Sequence, residues 1–418
     1  MREKKFNIIY CLFTLLLFPA IIAQLGGFDS TDQEIVNVYS QGSIISRLFY
    51  SILFMCLLYI TFNKNKSLFW TKYELLLIVY LFLGVFYSQT PIIVLRGIFT
   101  AITILLMWNI VGRLISTGFS LKTTAKSFIK FMIVYGFIEL LFWYIDASRI
   151  DRYGAMGHYI GYFQQSNLFE KTISFGLILN IFYLLSEKGR QWKLWLSAII
   201  FILFILGSGS RTTFIALTVS VVFTIIITTR IKLRYILLIL LIGFIAQDTL
   251  KSFFISYFNK TENNLSSNML EAGTLLVRLN MWDSLIPEMI KNFWFGVGLN
   301  SFWTPVTMIA YNTPGIHNGY LQVFQDLGFI GLILVVLIHV PLIRDAIKLN
   351  LNDDESNIFR NFLISCWIFF LIINITEGDL GNYHSAAWGL IVVFSIIYSL
   401  HVHKKTNNIL ITELSVRD

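Results

Sequence analysis

The sequence predicts an all-α integral membrane protein with about twelve transmembrane helices and one large, partly helical extracytoplasmic loop. Three observations carry this. Of the 418 residues, 56% are hydrophobic and only 13% are charged, about half the charged share of a soluble domain. Apolar runs of about 18 residues recur along the chain, enough for a helix to cross the hydrocarbon core. The runs are continuous rather than alternating, which argues against a β-barrel.

The first expected span, 7–23, follows Arg2, Lys4 and Lys5. That opening resembles a signal peptide, but no convincing small-residue cleavage site follows, so an uncleaved span is expected. Four more spans are expected over 44–62, 73–87, 92–112 and 127–145. The next group covers 168–186, 193–208, 212–229 and 234–248, and the last 318–341, 361–376 and 385–401. Threading the chain this way leaves about two-thirds of the 32 Lys and Arg residues on the inner side, the bias that short loops show in membrane proteins. Both termini are then cytoplasmic. The net charge of +8 informs through this distribution, and nucleic acid is not expected as a partner.

Residues 1–418 read as a single polytopic domain without internal repeats. Its long outer segment, 249–317, should contain elements of its own, because structureless loops of that length are unusual. Thr274 to Phe293 reads as an amphipathic helix with Leu275, Leu279, Trp282, Ile286 and Met289 on one face. Arg278 lies off that stripe. Gly296, Gly298 and Pro305 end the helix. The three cysteines, Cys11, Cys56 and Cys366, all sit inside apolar runs, so no disulfide framework is implied. No metal-ligand spacing is present, and neither a metal nor another cofactor is expected.

Chemistry is expected where titratable groups meet the outer ends of spans. The run from His317 and Asn318 to Gly328 and Gly331 opens the tenth span. Read as a continuous helix, it places His317, Leu321, Phe324, Gly328 and Gly331 on one stripe, with the glycines admitting a neighbouring helix. Gly207 to Thr213 is a tight outer turn that holds Arg211 at the membrane boundary. Arg278 lies on the loop helix, and Glu377 follows the eleventh span. Arg96, Arg149 and Arg152 face the same side, with Arg152 in a segment rich in Tyr. Each has a plainer reading: a snorkelling arginine, a solvated arginine, a hydrogen-bonded histidine, an interface carboxylate. Their convergence on one membrane face is what points to chemistry. Arginine's planar fork holds phosphate oxygens and stabilises a leaving diphosphate. A neutral imidazole accepts or orients a hydroxyl proton. Glycosyl transfer from a lipid diphosphate fits both.

At these residues the chain resembles the O-antigen ligase and Wzy-type polymerase superfamily. His317, Asn318, Gly328 and Gly331 meet every position of the ligase signature: His, then Asn, Ser or Gln, nine residues, Gly, two residues, and Gly, Thr or Tyr. Ser210-Arg211-Thr212 matches the family's arginine in a short outer turn, and Arg278 its loop arginine about forty residues before the histidine. Gly296 to Trp303 and Asn374 to Trp388 look most like the exopolysaccharide polymerase branch. The resemblance covers the chain from about Gly161 to Leu400. It implies a GT-C-like ligase/polymerase architecture and a metal-independent, inverting glycosyltransferase in the bacterial cytoplasmic membrane, with its site facing outward. The implied donor is an oligosaccharide on undecaprenyl diphosphate. Arg211 and Arg278 would engage the diphosphate, and His317 would position or activate the acceptor. Asn318, Arg152 and Arg96 are expected to bind substrate, and Glu377 to serve as a helper base. The preferred reading is a polymerase that extends a lipid-linked repeat unit. An O-antigen ligase with a lipid A-core acceptor is the first rival, and a flippase for the same lipid the second. Membrane lipid, a separate flippase and a chain-length regulator complete the implied partners.

Overall fold

A computed structural model describes residues 8, 10–14, 72–145, 166–186, 192–208, 211–229, 275–299, 316–348, 354–378, 380 and 385–415. The expected spans 44–62 and 234–248, most of 7–23, and Arg149 and Arg152 lie outside the described residues. Among the described residues from 72 on, ten helices follow in order: α1 (Lys72–Tyr87), α2 (Pro91–Gly118), α3 (Leu121–Ile145), α4 (Ser166–Ser186), α5 (Trp192–Ser208), α6 (Arg211–Thr229), α7 (Leu275–Lys291), α8 (Gly319–Lys348), α9 (Asp354–Ile373) and α10 (Ala386–Ser415). The described residues contain no strand. Among the described residues, five segments are long and apolar enough to cross a membrane: Pro91–Gly118, Phe169–Ser186, Gly319–Pro341, Asp354–Ile373 and Ala387–Lys404.

The helices outrun their apolar stretches where the flanking residues also suit a helix. α9 begins at Asp354 and Glu355, acidic residues in a first turn, which complement the helix dipole. Glu355 also pairs with Lys122 at 3.0 Å.

α4 is the axis of the bundle, with every residue from 169 to 180 buried. It forms an antiparallel pair with α5. Asn180 Nδ2 donates to the Leu194 carbonyl at 2.9 Å near one end. The Phe169 and Phe204 rings meet at 6.0 Å near the other. On another side Phe175 of α4 meets Phe369 of α9 at 5.8 Å. Rings from several helices lock the remaining core: Phe128 of α3 lies 4.7 Å from Phe394 of α10, which lies 5.1 Å from Phe362 of α9.

Two expectations are corrected. First, His317 to Gly331 is not one helical stripe. The helix begins only at Gly319, and His317 precedes it with φ 50°. Inside α8 the helix breaks at Gly328, with φ 66° and ψ −170°, a region only glycine occupies readily. A break leaves buried amides and carbonyls that need partners, and backbone from the loop after α7 supplies them. Val297 N donates to Gln325 O at 3.1 Å and Gly298 N to Asp326 O at 2.9 Å. In return Phe329 N donates to Phe293 O at 2.7 Å and Ile330 N to Trp294 O at 3.3 Å. The Tyr80 hydroxyl of α1 caps Leu327 O at 2.6 Å, and the Tyr87 hydroxyl donates to Phe295 O at 2.7 Å. Gly328 thus admits a loop backbone rather than a second helix. A Cβ there would lie 2.4 Å from the Trp294 carbonyl.

Second, the packed face of α7 is rotated from the predicted one. Arg278, Met281, Leu285 and Met289 are buried; of the predicted stripe Met289 is buried and Trp282 borders the core, while Leu279 and Ile286 are exposed. The helix has apolar residues on both faces, and the face against protein is the one that carries Arg278. Met281, Leu285 and Met289 form a small second core with Ile316, bordered by Trp282, Leu321 and Phe324.

Candidate functional site

The site is assembled where the start of α8, the end of α9, α7 and the start of α4 converge. Asn318 fixes the start of α8. Its Oδ1 accepts from Leu321 N at 3.0 Å, an N-cap bond, and its Nδ2 donates to Ile375 O at 3.0 Å. Gly319 N donates to Asn374 O at 2.9 Å, and the Asn374 side chain accepts from Leu380 N at 2.6 Å. A Cβ on Gly319 would fall 2.2 Å from Asn374 Oδ1, so the contact requires glycine or a shift. The histidine motif is therefore docked on the turn that follows α9. From the other side Trp282 Nε1 of α7 donates to Ile316 O at 2.7 Å. His317 is held between these two anchors. Its left-handed backbone is uncommon outside glycine, though histidine is among the residues that adopt it.

Arg278 reaches the same turn. Its NH2 group lies 3.4 Å from Glu377 Oε1, with each side chain under 10% exposed. Its NH1 group donates to the Thr376 carbonyl. The Nε of Arg278 is buried without a hydrogen-bond partner. Backbone bonds from Thr376 N and Glu377 N to Ile373 O, at 3.1 and 2.9 Å, hold the turn that presents both acceptors.

The electrostatics act on His317. Burial first, then the charges of Arg278 and Lys171, pull its pKa from the ordinary 6.5 down to about 4. Each disfavours the charged form, so the imidazole is neutral at physiological pH. A neutral imidazole beside a buried guanidinium combines a proton acceptor with a stabiliser for developing negative charge.

Of the sequence-predicted residues, His317, Asn318, Arg278 and Glu377 come together. Arg211 is the first residue of α6, three positions beyond the end of α5, whose Phe204 lies beside the start of α4. Its backbone is thus at the same end of the bundle as Lys171. Arg96 is not part of the buried cluster: it is exposed on α2, on the side opposite Val94 and Ile98, which enter the core. Sequence reading missed Lys171, 5% exposed and preceded by the fully buried Glu170. Its signal was two adjacent charges opening an otherwise apolar span. Among the described residues no three His, Cys, Asp or Glu side chains are grouped to hold a metal ion.

Residues 196–336 match the family model for O-antigen ligase. This segment is similar to the O-antigen ligase family. The ligase match contains Arg211, Arg278, His317, Asn318 and the break at Gly328, whereas Lys171 and Glu377 lie outside it. Such domains belong to glycosyltransferase-like ligases and polymerases that use lipid-linked glycans. No curated protein matches the sequence.

Proposed function

We propose that this membrane protein is a Wzy-like polysaccharide polymerase. It transfers a glycan from undecaprenyl diphosphate to a lipid-linked repeat unit at the outer face of the bacterial cytoplasmic membrane. The observation that carries the reading is a neutral His317 held beside the buried Arg278–Glu377 pair.

In this mechanism Arg278 and Arg211 hold the diphosphate of the donor. The partnerless Nε of Arg278 supplies a donor for a phosphate oxygen, and Glu377 fixes the guanidinium plane. His317 takes the proton from an acceptor hydroxyl as that oxygen bonds to the anomeric carbon from the face opposite the leaving group. The carbon–oxygen bond to the diphosphate breaks, and its electron pair leaves with undecaprenyl diphosphate. Fixed cations stabilise that charge without moving during the reaction. Asn318 serves the site by capping the helix behind His317.

The similarity to the ligase family also fits a second reading, in which the same donor is used by an O-antigen ligase with a lipid A-core acceptor. A flippase fits less well. Transporters use the ends of broken helices to bind cargo near the membrane midplane, but here the break in α8 is filled by backbone from 293–298. The test is reconstitution with purified lipid-linked repeat units and no other acceptor. Long products establish polymerisation. Unchanged repeat units that are consumed only when lipid A-core is added establish ligation instead.

A further inference from the structure

Lys171 is a buried cation whose charge reaches His317. It lies in the first turns of α4, whose residues 169–180 are all buried, and is 5% exposed. Ionisable side chains inside membrane bundles tend to line substrate paths. α4 packs against α9 at Phe175 and Phe369, and α9 ends in the turn that carries Thr376 and Glu377. The start of α4 and the end of α9 thus meet the histidine motif at one place. The Lys171 charge is felt by His317 alongside that of Arg278.

We infer that Lys171 is a third cation of the donor site, set by α4 beside His317 to bind the diphosphate head together with Arg278. This rests on the lipid-diphosphate reading above and extends it. The three basic groups come from separate parts of the chain: Lys171 from α4, Arg211 from the start of α6 and Arg278 from α7. Glu377 already engages the guanidinium of Arg278. A diphosphate carries more than one negative charge, so a second fixed cation near the imidazole adds directly to its binding. A lysine suits that place as a compact point charge that does not compete with the planar fork of Arg278.

The test measures binding of farnesyl diphosphate to the full chain in detergent by calorimetry, with farnesol as the uncharged control. Lys171→Gln should weaken farnesyl diphosphate about tenfold or more and leave farnesol unchanged. Lys171→Arg should retain binding within about threefold. If the Gln variant does not fold, Lys171→Met, which keeps the apolar stem, replaces it. A second readout is the His317 titration by NMR, which should move upward when the charge of Lys171 is removed. Equal diphosphate affinity in the wild type and in the folded charge-free variant overturns the role of Lys171 alone. A wild-type protein that binds the diphosphate no better than farnesol overturns the lipid-diphosphate reading, and this inference with it.

Discussion

Substituting Gly328 by Ala should unfasten the site without touching a reacting group. The glycine sits at φ 66° and ψ −170°, where any other residue costs about 1–3 kcal/mol. The new Cβ would also lie 2.4 Å from the carbonyl of Trp294 and 2.5 Å from the amide of Phe295. Both are backbone atoms, so relief requires the loop and the helix to part. That breaks the bonds of Phe329 N to Phe293 O and Ile330 N to Trp294 O, and strains those of Val297 and Gly298. At about 1 kcal/mol net for each bond, the total is roughly 4–6 kcal/mol, a large share of ordinary stability. Thermal unfolding of the detergent-purified protein should fall by about 5–7 °C. Chain growth in membranes should fall with it, because α7 would no longer hold Arg278 against the turn after α9. Gly118→Ala is the control: nothing lies within 4 Å of its added Cβ, so it should be neutral. Unfolding within about 2 °C of wild type, together with full-length product from Gly328→Ala, would refute the claim that this break organises the site.

Other outcomes follow from the charges. Because burial, Arg278 and Lys171 hold His317 near pKa 4 rather than 6.5, its working neutral form persists on acidification. Activity in vesicles should therefore stay level from about pH 8 to about pH 5 and fail only below that; an acid limb centred near 6.5 would show that the imidazole does not titrate as its surroundings dictate. Arg278→Ala should lower chain growth by about 100-fold or more, while Glu377→Gln, which loses an orienting partner rather than a phosphate donor, should cost about tenfold. The double variant should be no worse than Arg278→Ala, and additive losses would show that Glu377 acts by itself.

Much of this architecture was legible in the sequence because lipid imposes a simple rule: long apolar runs become helices. α1, α4, α5 and α6 begin and end within a few residues of their apolar runs. His317, Asn318, Arg278 and Glu377 were also legible, as polar groups at the ends of such runs. The packed face of α7 was not. Periodicity ranks helix faces by apolar content, and here both faces are apolar, so it selected Leu279 and Ile286 while the protein buries Met281 and Leu285. Nor was the break at Gly328, since a glycine that admits a neighbouring helix and one that turns the backbone are the same letter. Lys171 was hidden for a related reason. A lysine at the start of a span reads as an interfacial anchor, and only the surrounding helices reveal that it is enclosed.

The enclosure of α4 has a consequence for how the protein is made. Among the five membrane-length segments of the described residues its mean hydropathy is lowest, and it carries Glu170 and Lys171 in a stretch, 169–180, that is buried throughout. Such a segment has no stable resting place alone in a bilayer. It must pass from the insertion machinery directly into the company of other helices, first α5 and, once synthesised, α9. Burying Glu170 and Lys171 thus ties the placing of α4 to its packing against other helices.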